Sequence, residues 1–98
     1  MRKPRGPSFK FRLYVADRTP NSALAAANLT AICRTYLPDR HEIEVVDVLR
    51  KPERAMADGV FMTPALVKLA PSPVIRVIGT LSRTQATLRA LGLETLNA

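Results

Sequence analysis

The sequence predicts an α/β domain whose elements run in the order βαβαββα. Three observations lead there. Phe9, Phe11, Leu13 and Val15 alternate with Lys10, Arg12 and Tyr14, the two-residue period of a strand with one apolar face. Directly after it, Ala25, Leu29, Ile32, Cys33 and Tyr36 form a stripe at helical spacing. Ile43, Val45, Val46, Val48 and Leu49 then make a nearly continuous β-branched run, so the first half of the chain reads as a βαβ unit with a right-handed crossover.

Taken in order, the first strand stops at Pro20 and Asn21, and Asn21 or Ser22 can cap the helix that follows. Pro38 and Asp39 end that helix. Cys33 lies on its apolar stripe and reads as a small core residue. The run from Ile43 to Leu49 suits a central strand covered on both faces, which favours a mostly parallel sheet. Lys51, Pro52 and Glu53 open a short helix, because proline is tolerated in a first turn and an acid is favoured at the positive end of the helix dipole. Ala55 and Met56 are its expected inward residues, and Gly59 can terminate it. Residues 65–69 and 74–78 read as two strands joined by Ala70, Pro71, Ser72 and Pro73. A last helix is expected from Ser82, where Ser82 and Gln85 have capping-box spacing, to Gly92, with Leu88 and Leu91 facing inward.

Composition bounds what such a domain can do. At 98 residues and 47% hydrophobic content the chain is expected to fold around one packed core. No apolar run approaches the roughly 20 residues that span a bilayer, and the basic N-terminus lacks the apolar stretch of a secretory signal. No membrane partner and a cytoplasmic location are therefore expected. Of the net charge of +7, five positive charges (Arg2, Lys3, Arg5, Lys10, Arg12) precede the first acid, Asp17. Residues 1–8, with Pro4, Gly6 and Pro7, read as a flexible basic arm, 9–93 as the domain and 94–98 as a short tail. An arm of this charge could meet an acidic surface or nucleic acid. Two tyrosines, three phenylalanines and no tryptophan offer no stacking platform for single strands, so nucleic acid is not the expected partner.

Catalytic residue types are sparse. With Cys33 the only cysteine and His41 the only histidine, neither an internal disulfide nor an ordinary metal site can form, and no cofactor is expected. His41 has no evident nucleophile beside it, and Asp39, His41 and Glu42 read as a solvated connection.

The whole arrangement resembles the thioredoxin-like framework with its redox cysteines absent. Where a thioredoxin carries Cys-x-x-Cys, the loop reads Asp17, Arg18, Thr19, Pro20, Asn21, Ser22, and no thiolate is available to attack a disulfide. Thr63-Pro64 falls just before the third strand, where such folds typically hold a cis proline. More specifically, Leu13 through Ala16 with Thr19 through Ser22, Val46 through Leu49 with Pro52, Thr63-Pro64, Pro73-Val74, Ile78-Gly79 and Leu81-Ser82 together resemble the KaiB family over residues 9–93.

That resemblance implies a non-catalytic protein that binds the hexameric ATPase KaiC, in circadian or stress-related regulation. It also implies two folds: the partner-binding thioredoxin-like one, and a self-associating ground state of order βαββααβ, a dimer or tetramer when free. Residues 50–78 suit such a switch, since 65–69 have helical as well as extended propensity. Pro64, Pro71 and Pro73 are candidates for a slow isomerisation gate. Gly79 and Thr80 occupy the place of a usual Gly-Asp, and Asp17-Arg18 the place of a usual Gly-Asn, which marks the chain as divergent. The expected partner surface comprises Arg18, Asn21 and Ser22 at the first loop and helix start, with Lys51, Lys68 and Arg76 on later elements; its basic charge would speed encounter with an acidic surface. Two other readings remain at this point. One is the permanently thioredoxin-like sensor domain of the SasA histidine kinase. The other is a thiol-disulfide oxidoreductase, which would need a nucleophilic cysteine beside the first loop, whereas Cys33 lies well down the helix.

Overall fold

A computed structural model describes residues 8–93. The expected basic arm, apart from Ser8, and the expected tail lie outside the described residues. The elements are β1 (Phe9–Val15), α1 (Pro20–Tyr36), β2 (His41–Asp47), α2 (Pro52–Ala57), β3 (Ala65–Ala70), β4 (Ile75–Ile78) and α3 (Thr84–Leu91), the order expected from the sequence. They build one four-stranded sheet in the order β2-β1-β3-β4. β1 runs parallel to β2 and antiparallel to β3, and β3 runs antiparallel to β4.

Two expectations about the sheet need correction. It is not mostly parallel, since only the β1–β2 pair is. Nor is β2 central: β3 takes the free side of β1, which leaves β2 at the border with Val45 exposed. An apolar β-branched run is thus compatible with an edge position: Val46 is buried on the face that also carries Glu42 and Glu44, Ile43 packs partly on the other face, and Val45 beside it is left in solvent.

The core lies on both faces of the sheet. On one face Phe9, Phe11, Leu13 and Val15 of β1 pack with Leu66 of β3 against Ala25, Leu29, Ile32 and Cys33 of α1 and Leu88 and Leu91 of α3. Each fully buried side chain of this size stabilises the fold by about 1.5–3 kcal/mol relative to exposure. On the other face Tyr14, Val46, Ala65 and Val67 pack with Ala55 of α2 and Val60 just after it. Met56, expected to face inward, is exposed, because a helix of this length presents one residue to the sheet and Ala55 takes that place.

The ends of α1 and α3 also differ from expectation. Thr19 is the N-cap of α1: its Oγ1 accepts from the Ser22 N–H at 3.4 Å, and Pro20 occupies the first helical turn. α3 begins at Thr84, not Ser82, after Arg83, which caps it with no side-chain hydrogen bond. Ser82 is engaged elsewhere. The Asn28 amide of α1 donates to the Thr80 carbonyl at 2.8 Å and to Ser82 Oγ at 3.3 Å, tying α1 to the loop before α3. Within that loop Gly79 has φ +117° and Leu81 φ +63°. The left-handed conformation is strained for leucine and persists where surroundings over-determine it; here the Leu81 side chain is buried in the α1–α3 core. The Thr63–Pro64, Ala70–Pro71 and Ser72–Pro73 peptide bonds are cis.

Candidate partner-binding surface

The loop after β1 and the turn before β3 meet at one end of the sheet. Ala16, Thr19, Pro20, Asn21 and Thr63 line a groove there of about 290 Å³. The loop is fixed from beneath by Ser22, whose Oγ accepts from the Ala16 N–H at 3.0 Å and from the Thr19 hydroxyl at 2.7 Å. Asp17 sits at φ +50°, and its N–H reaches Asp47 Oδ1 at 3.3 Å, an oxygen that also accepts from the Leu49 N–H at 2.9 Å. A loop tied at Ala16, Asp17 and Thr19 holds Arg18 and Asn21 out toward solvent.

The six residues expected to bind a partner divide into two groups. Arg18, Asn21, Lys51 and Arg76 are exposed. Arg76 has its Nε 2.6 Å from the Asp58 carbonyl oxygen, which directs its guanidinium toward the end of α2. Ser22 and Lys68 are buried. Ser22 supports the loop from inside, and Lys68 lies with its ammonium 5.9 Å from the centroid of the Phe9 ring, a cation–π distance. In this fold the first four are therefore open to solvent and these two are not. Of the switch candidates, Gly79 and Thr80 lie in the loop that Asn28 holds, and Pro64 is buried beside the groove.

A charged network that sequence reasoning missed fastens α2 onto the sheet. Arg12 Nε donates to Glu44 Oε1 and Arg12 Nη1 to Asp58 Oδ2, each at 2.8 Å. Arg54 grips the same Glu44 through both terminal nitrogens at 2.8 Å. The Tyr14 hydroxyl donates between the Asp58 carboxylate and the Arg54 carbonyl oxygen, the latter at 2.9 Å. Hydrogen bonds from Arg54 and then Arg12 hold the Glu44 carboxyl down to about 2. Burial works against ionisation of Asp58, but the bonds from Tyr14 and Arg12 outweigh it and lower its pKa. Burial, then the bond to Asp58, raises that of Tyr14. The signal was available in part: Arg12 and Glu44 are register partners, but register is visible only once β2 is placed beside β1.

The single thiol is far from this end in chemical terms. Cys33 is fully buried on α1, and burial pushes it up to about 12, so the thiolate is strongly disfavoured. Among the described residues no group of His, Cys, Asp and Glu is arranged to hold a metal ion, and no helix is long and apolar enough to cross a membrane.

Known proteins share both the pattern and the fold. The KaiB domain model matches residues 12–93. The circadian clock protein KaiB3 of Synechocystis sp. is 40% identical over 83 residues, which make up 85% of this chain and 79% of that protein. The N-terminal domain of Synechococcus elongatus SasA superposes with a TM-score of 0.74 at 19% identity, covering 100% of this chain and 92% of that one. Oxidised mitochondrial thioredoxin 3 of Saccharomyces cerevisiae superposes at 0.69 with 18% identity, covering 89% and 80%. At such identities the two structures speak for the thioredoxin-like fold alone.

Proposed function

The chain belongs to the KaiB family, and from that premise we propose that it is a non-catalytic regulatory protein of the cytoplasm that docks on a hexameric KaiC-type ATPase in clock-like or stress-related control. One observation carries this reading. At the position where a thioredoxin exposes its thiols, the chain exposes Arg18 and Asn21 on a hydrogen-bonded loop, while its only thiol is buried. Lys51 and Arg76 add positive charge on neighbouring elements, which favours encounter with an acidic surface and makes association slow as salt is added. The test is co-elution of the purified chain with a KaiC-type ATPase of the same organism at low and high salt. A complex at low salt that weakens with salt is expected. No complex at either salt, or insulin-disulfide reduction lost in Cys33→Ser, overturns the reading.

The same reading includes a switch from a self-associated ground state of order βαββααβ. It is supported by the contrast between residues 9–49, whose local pattern agrees with βαβ throughout, and residues 50–78, whose short apolar runs suit helix or strand. A partner that binds only the thioredoxin-like form shifts the population by its differential affinity and no more. NMR of the free chain is expected to show a second peak set with helical shifts across residues 65–69, which the ATPase depletes. A single peak set with βαβαββα shifts in both samples removes the switch and leaves a permanently thioredoxin-like binding domain.

A further inference from the structure

The charges of the chain are sorted by face. α1 and α3 pack together on one side of the sheet, and α2 packs on the other. From Arg18 to Leu37 and from Gly79 to Leu93 the sequence holds no aspartate or glutamate, and its charged side chains there are Arg18, Arg34, Arg83 and Arg89. Arg18, Arg34 and Arg83 are exposed and make no ion pair among the described residues. The ion pairs that do form all involve β1, β2 and the stretch from there through Asp58. Helix stability does not account for this sorting. An acid in the first turn is favoured by the helix dipole, and α2 has Glu53 there, yet the first turns of α1 and α3 hold none. Arg34 and Arg89 lie in last turns, where a cation is favoured, but Arg83 is the N-cap of α3 and Arg18 precedes the N-cap of α1, both at positive ends. Two cations thus stand where the helices themselves disfavour them.

We infer that the α1–α3 face docks an extended acidic segment of a second protein, with its carboxylates on Arg18, Arg34 and Arg83 and one apolar side chain in the groove between the helices. That groove, of about 200 Å³, is lined by Asn28, Ile32, Thr35, Leu81 and Thr84. On the outward side of α1, Ala23, Ala27, Thr30 and Ala31 are exposed, and side chains this small let another backbone come close. At 1.5 Å per residue, Arg18 and Arg34 are about 24 Å apart along the helix, which an extended chain covers in about seven residues. Guanidinium and carboxylate pair through two parallel hydrogen bonds, so arginine without lysine suits this occupant. A nucleic-acid duplex carries a charge every ~1.7 Å, far denser than these few arginines. Single strands need aromatic platforms, and the one aromatic residue of the two helices, Tyr36, is packed against the core. A membrane needs apolar side chains to insert, and the face exposes only Leu24 among its large ones. The face lies across the sheet from α2, so its occupant does not compete with a partner bound there.

The experiment measures, by fluorescence anisotropy, binding of a labelled peptide of eight glutamates around one central leucine. It compares the full chain, Arg34→Gln/Arg83→Gln, and Lys10→Gln/Arg50→Gln, which removes the same charge away from the α1–α3 layer. The parent is expected to bind at low salt and to lose the peptide at high salt. Arg34→Gln/Arg83→Gln should bind at least about tenfold more weakly, with Lys10→Gln/Arg50→Gln within about threefold of the parent. A peptide with glycine in place of leucine should bind the parent at least about threefold more weakly, because the groove is then unfilled. The thermal midpoint of Arg34→Gln/Arg83→Gln should stay within about 4 °C of the parent, since exposed cations contribute little to folding. No binding by the parent, equal loss in the two variants, or equal binding of the two peptides overturns the inference. A larger fall in midpoint assigns the arginines to the fold. Parent self-association that Arg34→Gln/Arg83→Gln abolishes gives the face to a second copy. Tighter binding of DNA of matched charge or of anionic phospholipid vesicles, lost in the same variant, gives it to nucleic acid or a membrane. Each of these last outcomes also overturns the acidic segment.

Discussion

Tyr14 is buried through its ring and satisfied through its hydroxyl, so it joins the packing and the polar network beneath α2. Tyr14→Phe keeps the ring and deletes the donor, leaving Asp58 with Arg12 as its remaining side-chain partner. A loss of about 1.5–3 kcal/mol is expected, the range for a hydrogen bond to a charged acceptor, read as a lower urea midpoint at unchanged slope. Its burial shows what single residues reveal in a sequence and what they conceal. Strand alternation put Tyr14 opposite the apolar face of Phe11, Leu13 and Val15, which predicts a side but not a second packed layer. Ser22 is the converse case: its place at a helix start was legible, whereas its service beneath the loop depends on the Ala16 N–H folding back over it.

At the scale of elements, α2 is short and contributes one buried residue, so its attachment depends on Glu44 more than on its own apolar face. The sign of the pH dependence follows from that. Glu44 titrates near 4.5 when unfolded and is held to about 2 in the fold, so its contribution is complete above pH 4.5 and fades as pH falls toward 2. Asp58, also lowered, acts in the same direction. Between pH 6 and pH 3 the unfolding midpoint is therefore expected to drop, and the drop should be smaller in Glu44→Gln; an equal drop in both would remove Glu44 from the account. Exposed pairs of this kind are screened by solvent and contribute little each, so amide exchange in α2 is the more sensitive readout. The elements best read from sequence were β1 and α1, whose apolar periods are clear, although α1 is capped by Thr19 and not by Asn21 or Ser22. The weakest were α2, whose inward face held Ala55 without Met56, and α3, whose expected cap Ser82 is drawn away by Asn28.

For the whole molecule, the order of elements was legible because each segment's period is local, while the neighbourhood of strands was not, because it depends on which side of β1 the late strand β3 claims. The surface divides in the same way: Arg18 and Asn21 were legible at the first loop and helix start, Lys51 and Arg76 were named from the family resemblance, and the position of Ile78 beside Ala65 required the cross-strand pairing of β3 with β4. The border position of β2 carries a further consequence. Among the described residues its outer backbone groups have no strand to pair with, which makes it a template on which a like strand from another molecule can add, layer upon layer. What stands against such stacking is the alternation of Glu42 and Glu44 along that edge, since in-register copies would set carboxylate against carboxylate. Glu42→Gln/Glu44→Gln is therefore expected to shorten the lag before thioflavin-positive fibrils appear on prolonged agitation, and an unchanged lag would show that the edge is guarded by something other than charge. Glu44 would then serve twice, fastening α2 to the sheet and, with Glu42, setting how long the chain stays in solution.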